Sequence, residues 1–219
     1  GINNILYLLL LSLELERKET ASERATTILA IEEPEAHLHP HLQRLVFRDF
    51  LRRKSPVLLT THSPHIASVA PLPSILLLKR DQNKKSSVGT STHDAKLSDQ
   101  DVIDLERYLD ATRAEILFAQ GVILVEGSSE LFLLPAFALR FETPLDEHGI
   151  TVCSVHGTDF VPYVRLLGSN GLKLPFVVVT DGDWYQSTGG ETLSRGFRRA
   201  LEIAKTAGHH ESPTLEKLY

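Results

Sequence analysis

Acidic residues follow apolar, strand-length segments at several points of the sequence. The first such segment, Ile28–Ile31, ends in the adjacent pair Glu32 and Glu33. Paired carboxylates at the end of a buried strand suit a nucleotide-hydrolysing site, because one can hold the water shell of Mg²⁺ while the other orients the attacking water. A pair of this kind also occurs at solvated strand ends, so its context decides between the two interpretations.

A histidine follows the next apolar strand and supplies that context. The segment Val57–Thr61 runs directly into His62. The intervening residues have helical spacing, and a strand, a helix and a strand in this order predict a parallel pair whose carboxyl ends share one edge. An imidazole at that edge can contact a γ-phosphate. The combination favours an ATP site.

A second group of acids lies in the other half of the sequence, again after apolar strands. It consists of Glu126, Glu130, Asp181 and Asp183, with Thr180 directly before the last two. If the two strands are adjacent and parallel, these side chains converge at one sheet edge. Four carboxylates repel each other without a counter-ion, so the pattern predicts bound Mg²⁺ or Mn²⁺, which prefer oxygen ligands.

The first group resembles the ATPase heads of the ABC class, in the branch that contains the overcoming-lysogenisation-defect (OLD) nucleases. The resemblance implies that Glu32 is the Walker B acid, Glu33 the catalytic base and His62 the switch histidine. Gly1–Asn4 looks like the tail of the signature motif that meets ATP from the opposing head. It also implies that the full-length protein binds ATP as a homodimer or higher homo-oligomer.

The phosphate-binding loop of such a head is missing from these residues. No G-x-x-x-x-G-K-[ST] segment occurs in the sequence, and its lysine normally reaches the β- and γ-phosphates. We therefore expect the 219 residues alone to hydrolyse no ATP. Since residue 1 is glycine and the sequence has no methionine, we expect an internal fragment of a longer protein.

The second group resembles the Toprim fold shared by topoisomerases, primases and OLD nucleases. A Toprim module directly behind an ABC-type head is similar to the OLD family, which binds two divalent metals and cuts DNA. The resemblance implies that Glu126, Asp181 and Asp183 hold metal, that Glu130 completes the second site and that Thr180 adds a hydroxyl. The expected cofactors are therefore Mg²⁺ or Mn²⁺, and the expected substrate is DNA.

Basic residues near the second group are fewer than the family leads us to expect. A downstream lysine should neutralise transition-state charge, but only Lys205 and Lys217 follow Asp183, and neither has a recognisable context. Arg195, Arg198 and Arg199 fall near one face of a predicted helix. They are candidates to hold DNA phosphates, although a solvated helix face explains them equally well.

The order of the predicted strands and helices that carry these residues indicates an α/β protein with two parallel sheets. Residues 1–80 are expected to form the C-terminal part of an ABC-type ATPase domain, 81–118 a linker and connecting helix, and 119–219 a C-terminally incomplete Toprim domain. The predicted strands are 26–31, 57–61, 75–79, 121–125, 150–155 and 176–180. The predicted helices are 4–17, 41–53, 101–118, 128–141, 160–167 and 191–207, with loops over 80–100 and 184–190.

The sequence is compatible with more than one function. The leading interpretation is a metal-dependent DNA endonuclease with an ATPase head, and the alternative is a non-cleaving, ATP-gated DNA-binding scaffold with vestigial acids. Strand passage of the topoisomerase type requires a tyrosine nucleophile, for which Tyr108, Tyr163 and Tyr185 qualify by residue type only. The four intact acids favour the nuclease.

Composition limits the kinds of partner and the cellular compartment that the sequence allows. The chain has 23 Lys and Arg against 28 Asp and Glu, a net charge of -5, which excludes a uniformly basic nucleic-acid coat. Its single cysteine, Cys153, cannot form an internal disulfide, so a reducing cytoplasm fits best. The longest apolar run is too short to span a bilayer, which takes about 20 residues.

Overall fold

The computed structural model describes residues 2–20, 28–52, 55–81, 86–109, 113–186 and 192–208. Within them the chain divides into two compact units. The first takes in Gly1–Pro71 with Leu109–Ala114, and the second takes in Leu72–Tyr108 with Glu115–Tyr219, each as far as it is described. Two residues named in the sequence predictions lie outside the described residues. They are Gly1, from the segment that resembles a signature motif, and Lys217, one of the two lysines that follow Asp183. No helix in the described part is long and apolar enough to cross a membrane.

The first unit is a two-stranded parallel sheet with helices. Its elements are α1 (Ile2–Thr20), β1 (Leu29–Glu32), α2 (Pro40–Leu51), β2 (Val57–Thr60) and α3 (Pro64–Ala67). Strands β1 and β2 pair in parallel, with Glu32 opposite Thr60, as the order of strand, helix and strand predicts. Their residues alternate between half-buried and exposed. The strand before Glu32, which its apolar residues predict to be buried, is therefore only half-buried at alternate positions.

Helix α2 supplies much of the core of this unit. The buried apolar cluster is Leu8, Leu15, Leu38, Val46, Phe47, Phe50 and Ile66. In α2 the buried positions are Gln43, Val46, Phe47 and Phe50, a spacing that lies on one helical face. Leu45 lies off this face and is 65% exposed. The segment is helical, as its spacing predicts, and its buried face is centred near Phe47.

The second unit contains a three-stranded parallel sheet, an antiparallel hairpin and a further short strand pair. Its strands are β3 (Leu76–Asp81), β4 (Ser86–Ser91), β5 (Gly121–Val125), β6 (Ile150–Ser154), β7 (Phe176–Val179), β8 (Trp184–Gln186) and β9 (Thr192–Ser194). Its helices are α4 (Asp99–Tyr108), α5 (Ser128–Arg140), α6 (Val161–Leu167) and α7 (Arg195–Thr206). The parallel sheet has the order β6-β5-β7. The predicted parallel-sheet α/β class is confirmed.

Four local predictions in this unit are wrong, and one of them is the loop 184–190, because residues 184–186 form β8. The segment 80–100, predicted as a loop, contains β4, which pairs antiparallel with β3 through backbone hydrogen bonds. The predicted helix 101–118 ends at Tyr108, and residues 113–117 form a separate 3-10 turn. The predicted helix 191–207 begins only at Arg195, because residues 192–194 form β9 against β8.

Helix α4 begins with a capping box that also carries an ion pair. The Asp101 carboxylate accepts the Ser98 N–H at 2.8 Å, and the Asp101 N–H donates to the Ser98 hydroxyl at 3.1 Å. Arg165 of α6 donates to the same carboxylate at 2.5 Å. Although burial alone raises the pKa of Asp101, the hydrogen bonds from Ser98 and Arg165 hold it below its usual value.

Asp101→Asn should therefore lower the free energy of unfolding by about 1–2 kcal/mol near neutral pH. A carboxyl whose folded pKa is depressed stabilises the fold above its unfolded pKa of about 3.9, and this contribution is lost as the pH falls. Urea denaturation near pH 7 and near pH 3 should show the variant and the parent converging in acid. Asp104→Asn is the control on the same helix: its carboxylate accepts an exposed bond from Gln100 and raises the pKa of Asp159 by repulsion, so this change should not destabilise the fold. A difference between variant and parent that persists unchanged in acid would contradict this assignment.

Candidate functional site

The carboxyl ends of β5 and β7 bring two predicted site residues together. In the parallel register Val125 lies opposite Val179, so Glu126 and Thr180 leave the sheet side by side. The Thr180 hydroxyl donates to Glu126 Oε1. The Asp181 backbone N–H donates to the same oxygen at 2.9 Å. The predicted adjacency of these strands is confirmed, and Glu126 Oε1 is the common acceptor at the sheet edge.

Arg199 of α7 enters this edge and links the acids. Its Nη2 lies 2.9 Å from Glu126 Oε1 and 2.8 Å from Asp183 Oδ2. The same nitrogen lies 3.1 Å from the Asp181 carbonyl, and Nε donates to the Thr180 hydroxyl at 3.0 Å. The Arg199 side chain is only 16% exposed. The guanidinium thus bridges the two carboxylates and offsets one of their two negative charges in a partly desolvated position, where charge-assisted hydrogen bonds are strong.

The backbone of α7 positions Arg199 by packing on residues 181–183, the Asp-Gly-Asp turn. The Gly196 N–H donates to the Gly182 carbonyl at 3.1 Å, while the Ser194 hydroxyl caps the helix by accepting the Phe197 N–H at 3.0 Å. A Cβ at Gly196 would lie 1.9 Å from the Asp181 carbonyl oxygen. Only glycine permits this approach of helix to turn, and Arg199 follows one turn later on the helix.

Gly196→Ala should consequently destabilise the second unit by about 1–3 kcal/mol, since the added methyl group meets backbone atoms that cannot move aside cheaply. Gly89→Ala is the matched control, because its Cβ would meet only Leu side chains at 3.5 Å or beyond. That change should stay within about 0.5 kcal/mol of the parent. Thermal denaturation of both variants checks this prediction, and equal melting temperatures would refute it.

The other two predicted acids occupy different places in the structure. Glu130 accepts the Gly127 N–H at 3.1 Å and so closes the first turn of α5. Asp181 is exposed and contributes backbone atoms to the contacts around Glu126. Within the described ranges, no group of three or more His, Cys, Asp or Glu side chains could hold a metal ion. Convergence of all four acids stays a prediction, and the structure joins Glu126 and Asp183 through Arg199.

The three candidate DNA-binding arginines do not share one environment. Arg199 faces the acids, whereas the Arg195 guanidinium lies over the Tyr185 ring at 5.1 Å, a cation–π contact. Arg198 is exposed. Phosphate binding by Arg195 and Arg198 stays a prediction. Helical periodicity did not distinguish Arg199 from the other two arginines, although Arg199 contacts the acidic residues.

The donor set at this edge fits a divalent cation. It consists of hard oxygens, namely Glu126 Oε1, the Thr180 hydroxyl, the Asp181 carbonyl and Asp183 Oδ2, all within hydrogen-bond distance of one cationic side chain. Carboxylate, carbonyl and hydroxyl oxygens are the ligands of Mg²⁺ and Mn²⁺. The guanidinium marks the position where these oxygens favour positive charge.

The first unit carries the first group of candidate residues, Glu32, Glu33 and His62. The Glu33 N–H donates to the Thr60 carbonyl at 3.0 Å, so the acid continues directly from the β1–β2 pair. His62 Nε2 lies 3.4 Å from Glu33 Oε1, and both side chains are exposed. Glu32 is exposed as well. The structure therefore places the imidazole beside the second acid of the pair, as adjacent parallel strand ends require.

Glu35 was missed by the sequence analysis and connects the two strand ends. Its Oε1 accepts the Thr61 hydroxyl at 2.8 Å and the His62 N–H at 2.7 Å. Its Oε2 is buried and has no hydrogen-bond partner among the described residues. The sequence signal that could have identified Glu35 is its position as the third acid in the Glu32–Glu35 segment. Its carboxylate fixes the backbone that carries His62.

Comparison with known proteins agrees with both halves of this description. Residues 117–183 match the family model "Overcoming lysogenization defect protein-like, TOPRIM domain", and residues 1–67 match "AAA ATPase domain". The chain thus joins part of an ATPase domain to a TOPRIM domain. The predicted resemblance to the OLD family is confirmed by the TOPRIM match.

Similar curated proteins carry nuclease names. The chain is 29% identical to the OLD nuclease of Thermus scotoductus over 168 residues, covering 74% of this chain and 31% of that protein. It is 26% identical to the endonuclease GajA of Bacillus cereus over 195 residues, covering 75% of this chain and 27% of that protein. The chain therefore spans less than a third of the length of these two relatives.

Solved structures of OLD proteins are also similar in sequence. The C-terminal region of the Xanthomonas campestris pv. campestris OLD protein is 42% identical, with a TM-score of 0.39 and coverage of 48% of both chains. The C-terminal region of the Burkholderia pseudomallei OLD protein is also 42% identical, with a TM-score of 0.39 and coverage of 43% of this chain and 45% of that one.

Proposed function

We propose that the second unit is the nuclease part of a metal-dependent DNA endonuclease. The observation that carries the proposal is the convergence of Glu126, Thr180 and Asp183 on one cation position within the TOPRIM match. The nuclease names of the two relatives support the reaction class. The substrate bond is a phosphodiester, and the acceptor is water.

Each site residue has a defined task in this proposal. Glu126 and Asp183 would hold the divalent ion, with Asp181, Glu130 and the Thr180 hydroxyl as the further ligands of a two-metal centre. A metal bound there would supply Lewis-acid stabilisation and a water of lowered pKa. The Asp-Gly-Asp turn, fixed to α7, would keep the two carboxylates at the edge of the sheet while the DNA backbone approaches.

The first unit is proposed to act as part of an ATPase. The support is the match to an AAA ATPase domain and the contact between Glu33 and His62. Glu32 would bind Mg²⁺ with ATP, Glu33 would act as the base, and His62 would contact the γ-phosphate. ABC-type heads close ATP between two subunits, so the whole protein is proposed to be a homodimer or higher homo-oligomer.

A non-cleaving, ATP-gated DNA-binding scaffold is the second candidate. The observation that favours it is the ion pairing of Glu126 and Asp183 with Arg199. An acidic pair that is already bridged by a cationic side chain does not depend on a metal for folding. In this case the acids would serve the structure of the second unit rather than hydrolysis.

Nicking of supercoiled plasmid by the whole protein separates the two candidates. The reactions contain Mg²⁺, Mn²⁺ or a chelator, each with and without ATP. The endonuclease proposal expects conversion of supercoiled to open-circular DNA that depends on the added metal. Binding of DNA without conversion under every metal condition would favour the scaffold.

A further inference from the structure

One nitrogen of Arg199 has more acceptors than hydrogens. Its Nη2 carries two hydrogens but lies within hydrogen-bond distance of three oxygens: Glu126 Oε1, the Asp181 carbonyl and Asp183 Oδ2. At least two of these acceptors must share one hydrogen. The oxygens are therefore concentrated around one nitrogen instead of being spread over the N–H groups of the guanidinium.

An excess of oxygens around a directional donor is a better match to a spherical cation. Mg²⁺ and Mn²⁺ accept six oxygens in a compact shell, whereas a planar guanidinium donates only along its N–H bonds. The carboxylates of Glu126 and Asp183 come from the ends of two different strands, and Arg199 Nη2 contacts both of them. The oxygens that hold Arg199 are those that a divalent ion would need.

We propose that Arg199 is the resident cation of this site and that a divalent ion binds to Glu126 and Asp183 only by displacing its guanidinium. This inference rests on the proposed metal-dependent function of the second unit. An ion that bonds to Glu126 Oε1 and Asp183 Oδ2 together has to lie between them, where Nη2 of Arg199 now lies, and the like charges of the ion and the guanidinium repel each other. Arg199 therefore lowers the metal affinity of the chain while it reduces the negative charge of the metal-free site.

The position of Arg199 is built into the fold rather than adopted by a free surface side chain. Gly196 allows α7 to approach the Asp-Gly-Asp turn, and Nε of Arg199 is held by the Thr180 hydroxyl. The side chain is largely shielded from solvent. Displacement must break these charge-assisted bonds, so the competition should be large enough to measure.

Calorimetric titration of Mn²⁺ into the full chain without nucleotide tests the inference. Arg199→Gln should tighten Mn²⁺ binding by about tenfold or more, because one or more strong hydrogen bonds no longer oppose the metal. Arg199→Lys keeps the charge and should bind Mn²⁺ with an intermediate affinity. Arg198→Gln removes the same charge from the neighbouring exposed position, and its affinity should stay within about twofold of the parent.

The results separate failure of this inference from failure of the proposed function. Unchanged or weaker Mn²⁺ binding by Arg199→Gln would overturn the inference, since Arg199 would then merely organise the ligands. Parent-like Mn²⁺ binding by a chain that lacks the carboxylates of Glu126, Asp181 and Asp183 would overturn the proposed metal site and the inference together.

A spectroscopic readout of the parent covers the case in which Arg199→Gln does not fold. The Nε–H proton of Arg199 should give a protected signal in the metal-free chain, because it is hydrogen-bonded to Thr180. Saturating Mg²⁺, which is diamagnetic, should shift this signal or expose it to exchange. A signal that stays unchanged while Mg²⁺ binds at the acids would overturn the inference.

Discussion

Replacing Glu126, Asp181 and Asp183 by their amides should abolish DNA nicking by the whole protein. The amides keep the size of each side chain but remove the negative charge that would bind metal. Loss of metal-assisted stabilisation of several kcal/mol corresponds to a fall in rate of at least about a thousandfold. Quantifying open-circular product over time in Mg²⁺ and in Mn²⁺ measures the effect.

A matched set of amide substitutions controls for the loss of three charges. The control positions are exposed acids between α5 and β6: Glu142→Gln, Asp146→Asn and Glu147→Gln. This variant should nick DNA at the parent rate. Equal activity of the two triple variants would place the nuclease centre elsewhere in the protein.

Glu33→Gln should slow ATP hydrolysis by the whole protein by about a hundredfold to ten-thousandfold, because general-base catalysis contributes that much. Binding of ATP should be preserved, since the amide keeps the shape of the side chain that lies beside His62. Phosphate release and nucleotide binding are measured separately on the same preparation.

Glu14→Gln is the control for this substitution. Glu14 is exposed on α1, where it pairs with Lys18, and its amide should hydrolyse ATP at the parent rate. If Glu33→Gln lost nucleotide binding together with hydrolysis, the residue would be a ligand or a structural acid rather than a base.

The strands that carry the site could be predicted because they are apolar runs with clear boundaries. Strand β5 occupies Gly121–Val125 as predicted, between a glycine and Glu126. Strand β4 was missed because its residues are Ser, Thr, Gly and Val without apolar alternation, and its pairing depends on backbone bonds to β3. Short polar strands of this kind are specified by their partner more than by their own composition.

The sequence predicts which strand ends carry the site, but it does not predict the side-chain contacts within the site. Glu126 and Thr180 meet because parallel strands end at one edge, a rule that sequence order already implies. Selection of Arg199 over Arg195 and Arg198 depends on the close approach at Gly196, which helical periodicity does not encode. Glu35 acts across two loops, and its partners become evident only when β1 and β2 are paired.

The attachment of the Asp-Gly-Asp turn to two elements determines when its conformational entropy is lost. The Asp181 N–H is bonded to Glu126 after β5, and Gly182 accepts the Gly196 N–H from α7. The turn is therefore ordered during folding of the second unit. An ion or a DNA phosphate that arrives later meets preorganised oxygens, so little of its binding free energy is needed to order the backbone.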